Sequence, residues 1–255
     1  MRPLDAKGES RQARRDFLMT AGAAASGLVL APALLSRGLA ASVALPGAMR
    51  IGIIGSGLIG GAVGLKWAEA GHEILFSSRH PEELAGLVER AGSRTRAGLP
   101  AEAAEFGEVV FIAVPYAALP QVGRDYAAAM RGKIVIDCGN PYPRRDGPMA
   151  AEALLKGTGV ASAEYLPGVR LVRAFNAISS RSVDSKAHRE GEKVAIPIAG
   201  DEAEAVRVAS ELVVDAGFDP VVVGPLARAR DFDQGSAVYV KDLTAAELRE
   251  ALGLR

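Results

Sequence analysis

The segment Gly55-Ser56-Gly57-Leu58-Ile59-Gly60 stands between an apolar, β-branched run at residues 49–54 and a helical pattern at residues 61–70 that stops at Gly71. Few chain arrangements accept glycines in that order. Gly55 permits a tight turn, Gly57 lets the backbone come close to a ligand, and Gly60 lets a helix pack tightly on the preceding strand. The result is a strand–turn–helix unit. The start of its helix offers unpaired N–H groups and the positive end of the helix dipole to an anion. A second apolar run, residues 72–76, ends at the distance expected of a βαβ unit. In that setting the loop reads as the pyrophosphate cradle of a dinucleotide, built by residues Gly55, Ser56, Gly57, Leu58, Ile59 and Gly60.

The end of the second strand distinguishes one dinucleotide from another. A carboxylate there bonds the ribose 2′-hydroxyl of NAD. This chain has Ser77-Ser78-Arg79-His80 instead. No carboxylate occupies that place to repel a 2′-phosphate. Arg79 can bind it with a fork of charge-assisted hydrogen bonds, and Ser77, Ser78 and His80 can add more. The expected cofactor is NADP(H).

Alternating strand and helix patterns continue along the chain. Helices are expected at residues 82–91, 99–106, 118–130, 149–156 and 201–216, and strands at 109–114, 133–137, 170–175, 194–199 and 220–223. This alternation predicts an α/β fold of the Rossmann type: a doubly wound, mostly parallel sheet with helices on both faces. Residues 144–147 read as a surface turn. The tail, 243–252, has a helical pattern that begins at the cap-like Thr244, forming a short C-terminal extension.

Ligands of such a sheet gather at the carboxyl ends of its strands. Three loops fall there. In the first, Val114 and Pro115 pass beside the adenine-side ribose, and Tyr116 offers a flat surface and a hydroxyl. In the second, Asn140 can bond a ribose or the nicotinamide amide, with Pro141 stiffening the turn. In the third, Asn176 follows a buried strand directly and either caps the next helix or meets the ligand. Asp137 ends a strand and reads as structural. Neither a Ser/His/Asp arrangement nor a carboxylate pair is evident, so no catalytic residue is assigned. Hydride transfer between two flat rings depends on stacking and orientation more than on a proton shuttle.

Composition narrows the rest. The 255 residues carry 30 basic and 30 acidic side chains, a balance that argues against a nucleic-acid footprint. The one cysteine, Cys138, excludes an internal disulfide and a cysteine-based zinc site, and its strand-end position reads as packing. Three scattered histidines make no metal cluster. Near the N-terminus, Arg14-Arg15-Asp16-Phe17-Leu18 is a twin-arginine pattern, followed by an Ala/Gly/Leu-rich stretch and by small residues suited to cleavage. The domain division read from this is an export signal over residues 1–44 and a nucleotide-binding domain over 45–255. The expected location is periplasmic or otherwise outside the cytoplasm, with a cytoplasmic or membrane-anchored protein as the alternative if the leader is retained. Such a route moves folded proteins, and so permits nucleotide loading before export.

The segments MRIGIIGSGLIG, GHEILFSSRHPEEL, VVFIAVPYAALPQV, KIVIDCGNPYP, RLVRAFNAISSRSV and IPIAGDEAEAVRVASELVVDAGFDPVVVGPLARAR together resemble the NADP oxidoreductases that act on the deazaflavin coenzyme F420, a fold shared with the nucleotide-binding domain of the STEAP metalloreductases. The resemblance implies NADP(H) held by the glycine loop, Ser78, Arg79, Pro115 and Asn140. It further implies a second redox partner near Asn176, coenzyme F420 above all. The chain departs from the family in a short tail, 231–255, and in its leader. The tail puts part of the second-substrate pocket or of a homodimer surface in question. A flavin- or metal-reductase-like module served by a partner's acceptor, and an NADP-binding sensor without turnover, stay open as alternatives. No membrane contact is expected once the leader is removed.

Overall fold

The computed structural model of the protein describes residues 47–254. The twin-arginine pattern, and with it the expected signal over residues 1–44, lies outside the described residues.

The glycine loop joins β1 (Arg50–Ile54) to α1 (Leu58–Glu69), and β2 (Glu73–Ser77) completes the first βαβ unit. A 3-10 turn (Pro81–Leu84) leads into α2 (Ala85–Ala91), then β3 (Thr95–Gly98), α3 (Pro100–Phe106) and β4 (Val109–Ile112). Next come α4 (Leu119–Met130), β5 (Ile134–Asp137), the single-turn α5 (Pro143–Asp146), α6 (Pro148–Lys156), α7 (Thr158–Tyr165) and β6 (Arg170–Arg173). The chain finishes with α8 (Ser180–Lys186), β7 (Ala195–Gly200), α9 (Ala203–Asp215), β8 (Asp219–Gly224), a 3-10 segment (Leu226–Phe232) and α10 (Ala245–Ala251).

The eight strands form one sheet in the order β3-β2-β1-β4-β5-β6-β7-β8. Every neighbouring pair is parallel except β6 with β7, which run antiparallel over a short register. The strand order reverses direction between β1 and β4, so the crevice beyond their carboxyl ends is where a ligand of such a sheet is expected.

Alternation along the central strands builds two cores, and a third, smaller one lies at β7 and β8. Ile51, Ile53, Phe111 and Ile136 point to the face covered by α1, α8 and α9, where Trp67 is fully buried. Ile54, Val110, Ile112 and Val135 point to the face covered by α3, α4, α6 and α7. Parallel strands buried on both faces read as continuous apolar runs, which is why β1, β4 and β5 are legible in the sequence. On the first face Trp67, Phe111 and Phe175 meet edge to face, with centroids 5.1–5.9 Å apart, and the Trp67 indole donates to the Leu212 carbonyl.

Three elements differ from the expectation. β3 (Thr-Arg-Ala-Gly) is a half-exposed edge strand without an apolar run. The helix α7 (TGVASAEY) is built of small residues that fit a crowded site, and α8 is polar and starts on the Ser179 hydroxyl, which accepts from the Ser182 amide. None of them has the periodicity that marks a helix or strand by sequence. Residues 144–147, read as a surface turn, include the end of α5, where the Asp146 carboxylate is buried. The Thr244 cap is present, with a full capping box to Glu247.

Candidate nucleotide and acceptor site

The glycine loop is shaped by two steric demands. Gly55 has φ +94°, and a Cβ there would stand 2.7 Å from the Ala113 carbonyl oxygen. At Gly60 a Cβ would lie 2.1 Å from the Gly55 carbonyl oxygen. Gly57 has open space where a side chain would sit. It is the N-cap of the 12-residue α1, which has no capping side chain and no acidic residue in its first turn. The first-turn amides of a helix lack intrahelical partners, so here, with no side-chain cap, they are open to an anion. A pyrophosphate fits this cradle in charge and in shape. Leu58 is 84% exposed beside the loop, and the buried Ser56 hydroxyl has no partner among the described residues.

From this cradle a cleft of about 700 Å³ runs over the end of β2. Ser77, Ser78 and Arg79 line it, together with Val114 and Pro115 and with Gln121 and Tyr126 of α4. Arg79 is exposed and has no ion-pair partner among the described residues. Two of the candidate residues are tied up by contacts of their own. Ser77 is fully buried and donates its hydroxyl to the Ile53 carbonyl at 2.7 Å, so it fastens β2 to β1 while its backbone borders the cleft. His80 does not line the cleft; it turns to Glu82, 3.4 Å away, and its amide donates to the Ser78 hydroxyl. The reading of the serines and arginine overlooked Glu83, which borders the same cleft from the 3-10 turn.

A second compartment of about 450 Å³ adjoins the first and shares Ala113, Val114 and Pro115 with it. Ile59, Asn140 and Asn176 line it, so the structure brings together the loop ends of β1, β4, β5 and β6 that the sequence singled out. Asn140 donates from Nδ2 to the Asn176 carbonyl at 2.8 Å, which ties the loop after β5 to the loop after β6. The Asn176 amide nitrogen lies 3.4 Å from the Phe232 carbonyl. Its Oδ1 is buried without a donor among the described residues, so it is an acceptor awaiting an N–H. Phe175, at φ +61° and packed edge to face on Trp67, makes the sharp turn that leads to Asn176.

Tyr116 is not the flat ligand surface expected of it. It is fully buried, and its hydroxyl bonds Ser162 at 3.0 Å. Burial first, then the negative charge of Asp137, push that phenol well above its ordinary value. Cys138 is buried as expected; its thiol donates to the Ile112 carbonyl, and burial pushes it up too. Asp137 is structural, but at the centre of a network. It pairs with the fully buried Arg173 at 2.6 Å and accepts from the Ser162 hydroxyl and the Gly139 amide. Arg173 in turn donates to the carbonyls of Asp137 and Gly139. Asp233 accepts from the Thr158 amide and hydroxyl, 3.7 Å from the Arg173 guanidinium. A guanidinium in the last position of β6 thus holds the floor of the second compartment, and nothing in the sequence marked it as more than part of a strand.

The sequence reading also missed Tyr142, Arg145 and Asp146. The Asp146 carboxylate accepts from the amides of Ala117 and Tyr142 and from Arg145, joining the loops after β4 and β5. Burial alone would raise its pKa; the hydrogen bonds from Arg145, Tyr142 and Ala117 outweigh that and hold it below the ordinary carboxylate value. Across the compartment, the tail after the 3-10 segment returns over the cleft. Its Val240 amide donates to the Ala177 carbonyl, and Tyr239 meets Tyr142. The short tail therefore supplies a wall of the second compartment. Among the described residues no group of histidines, cysteines and carboxylates could hold a metal ion, and no helix is long and apolar enough to cross a membrane.

Residues 50–141 match the family of NADP oxidoreductases that are coenzyme F420-dependent. The F420-dependent NADP reductase of Methanothermobacter marburgensis is 30% identical over 223 residues, which cover 81% of this chain and 97% of that enzyme. This chain belongs to that family. The metalloreductase STEAP3 of Rattus norvegicus is 31% identical over 193 residues, 73% of this chain, and the match spans only about a third of STEAP3, 36%. Among solved structures, a hypothetical protein from Sinorhizobium meliloti is 25% identical with a TM-score of 0.67, covering 77% of this chain and 95% of that one. A protein of Arthrobacter sp. fb24, solved as a candidate F420-dependent NADP reductase, has a TM-score of 0.61 at 21% identity over 81% of this chain and 96% of its own, and shows the same fold. As a member of the F420-dependent family, the chain is an NADP-dependent oxidoreductase with a Rossmann-type sheet.

Proposed function

We propose that this oxidoreductase transfers a hydride between NADP(H) and the deazaflavin coenzyme F420. The observation that carries the reading is the adjoining second compartment, walled by the tail, in a chain that aligns with 97% of an F420-dependent NADP reductase. Bound NADPH supplies a hydride at its nicotinamide ring. The chain's part is to hold and orient. Gly55 to Gly60 receive the pyrophosphate on the first-turn amides of α1. Ser78 and Arg79 bind the 2′-phosphate. Val114 and Pro115 form the ridge between the compartments. The unpaired Asn176 Oδ1 accepts from the nicotinamide carboxamide, and Asn140 keeps the Asn176 loop in place through its carbonyl. Tyr239 and Val240 cover the acceptor side and reduce its contact with water.

Stopped-flow absorbance tests the reading. NADPH and F420 together are expected to lose the nicotinamide band and the deazaflavin band in step. Binding of NADPH with no change at either band would exclude F420 as acceptor. It would favour the alternative in which a partner supplies the acceptor, a reading supported by the likeness to about a third of the metalloreductase STEAP3, 36%.

A further inference from the structure

The acceptor compartment contains two phenols in contact. Tyr142, from the loop after β5, and Tyr239, from the returning tail, place their hydroxyl oxygens 2.5 Å apart, and both side chains line the cavity. Two phenols in contact own two protons and share one hydrogen bond. One proton lies between the oxygens, and the other is left to donate elsewhere. Arg145 lies over the Tyr142 ring, 4.8 Å from its centroid, fixed there by Asp146 and the Asn140 carbonyl.

The other polar side chains of the cavity do not supply a proton. The Cys138 thiol is engaged with the Ile112 carbonyl and pushed up by burial. The Ser179 hydroxyl caps α8. The two asparagines carry no titratable proton, and an arginine does not release one. Burial, followed by the Tyr142 hydrogen bond, pushes the Tyr239 phenol up, so it carries its proton at neutral pH. The charged groups near the pair are Arg145, which favours a phenolate, Asp146, which pairs with Arg145 and accepts from the Tyr142 amide, and Asp233, which is tied to Thr158.

Resting on the F420 reading above, we propose that the Tyr142–Tyr239 pair is the proton donor to the acceptor. A planar two-electron acceptor takes a hydride at a ring carbon and needs a proton at a ring nitrogen or oxygen to end uncharged. The pair breaks one O–H bond and gives that proton to the acceptor heteroatom as the hydride bonds to the ring carbon. The phenolate left behind keeps the hydrogen bond of its partner tyrosine and the Arg145 cation nearby, and recovers a proton from water. NADPH, acceptor and one proton become NADP⁺ and the dihydro-acceptor, so atoms and electrons balance.

The test offers F420, FMN and menadione to the full chain with NADPH, in H₂O and D₂O, with Tyr142→Phe, Tyr239→Phe and the double variant alongside. Each phenylalanine keeps the ring and removes the proton. With whichever acceptor the wild type reduces, the variants are expected to lose kcat by on the order of 10²-fold, as for general acids, to bind NADPH as before, and to lose the solvent isotope effect. A readout outside turnover uses tyrosine labelled with ¹³C at Cζ: oxidised acceptor added to the NADP⁺ complex should shift the two signals that the variants assign. Reduction of FMN or menadione but not F420 would remove the acceptor assignment, and the pair is then judged on those acceptors. Wild-type rates in the double variant, or Cζ signals unmoved by every acceptor, would overturn the pair as donor.

Discussion

Arg79 and Asn176 show two ways in which a residue declares a ligand. Arg79 is exposed at the cleft over β2 without a carboxylate partner among the described residues, so its charge is available to a 2′-phosphate. Arg79→Ala is expected to weaken NADPH binding by about 1.5–3 kcal/mol, the worth of a charge-assisted hydrogen bond, and NADH binding far less. Fluorescence titration with both nucleotides measures the difference, and equal losses would remove Arg79 from the 2′-phosphate site. Ser77 and Ser78 are neighbours in sequence with opposite fates. The strand alternation turns the first hydroxyl into the sheet, onto Ile53, and leaves the second at the cleft edge, beside Arg79. A motif read by residue type treats them alike, because the side to which a strand-end hydroxyl points depends on where the last ladder pair falls.

Loops and strand ends carry the site, and buried charge holds them. Arg173 at the end of β6 fixes Asp137 and the Gly139 carbonyl and faces Asp233 from the tail. Arg173→Met leaves Asp137 buried without its cation and is expected to cost about 3–5 kcal/mol. Urea denaturation checks this, and Asp137→Leu added to Arg173→Met should recover part of the loss. Asp146 gives a pH signature. Hydrogen bonds hold its carboxyl below the ordinary value in the fold, so its stabilisation is complete above the normal carboxylate range and is lost as pH falls through and below it. Asp146→Asn is therefore expected to lower Tm most near neutral pH, with the gap to wild type closing in acid. A gap independent of pH would separate the carboxylate from the stabilisation.

At the scale of the molecule, the reversal of strand order between β1 and β4 places four loop ends side by side, and the tail closes over them. The twin-arginine pattern at residues 14–18 bears on where this assembly works, and we propose that it directs export of the folded protein. Replacing Arg14 and Arg15 by lysine is expected to retain the chain in the cytoplasm, as read by fractionation and immunoblotting. Equal periplasmic amounts of variant and wild type would exclude the route. Sedimentation of the full chain would show whether two copies associate into the homodimer that the short tail put in question.

What the sequence by itself determined is the local chemistry. Gly55 and Gly60 are demanded by a turn and a close approach, the β-branched runs by burial on two faces, and Thr244 with Glu247 by a helix start. Each is settled within a few residues, so the doubly wound fold, the nucleotide class and the family were legible. The tertiary structure decided the rest. The Asn140–Asn176 tie spans 36 residues, the Asp137–Arg173 pair likewise 36, and the Tyr142–Tyr239 contact 97. No periodicity announces a partner at that separation. Edge strand β3 and helices α7 and α8 were hidden for the same reason: long-range packing, not an apolar repeat, holds them. The acceptor wall is the clearest case, because only the folded tail shows that so short a segment reaches back to the cleft.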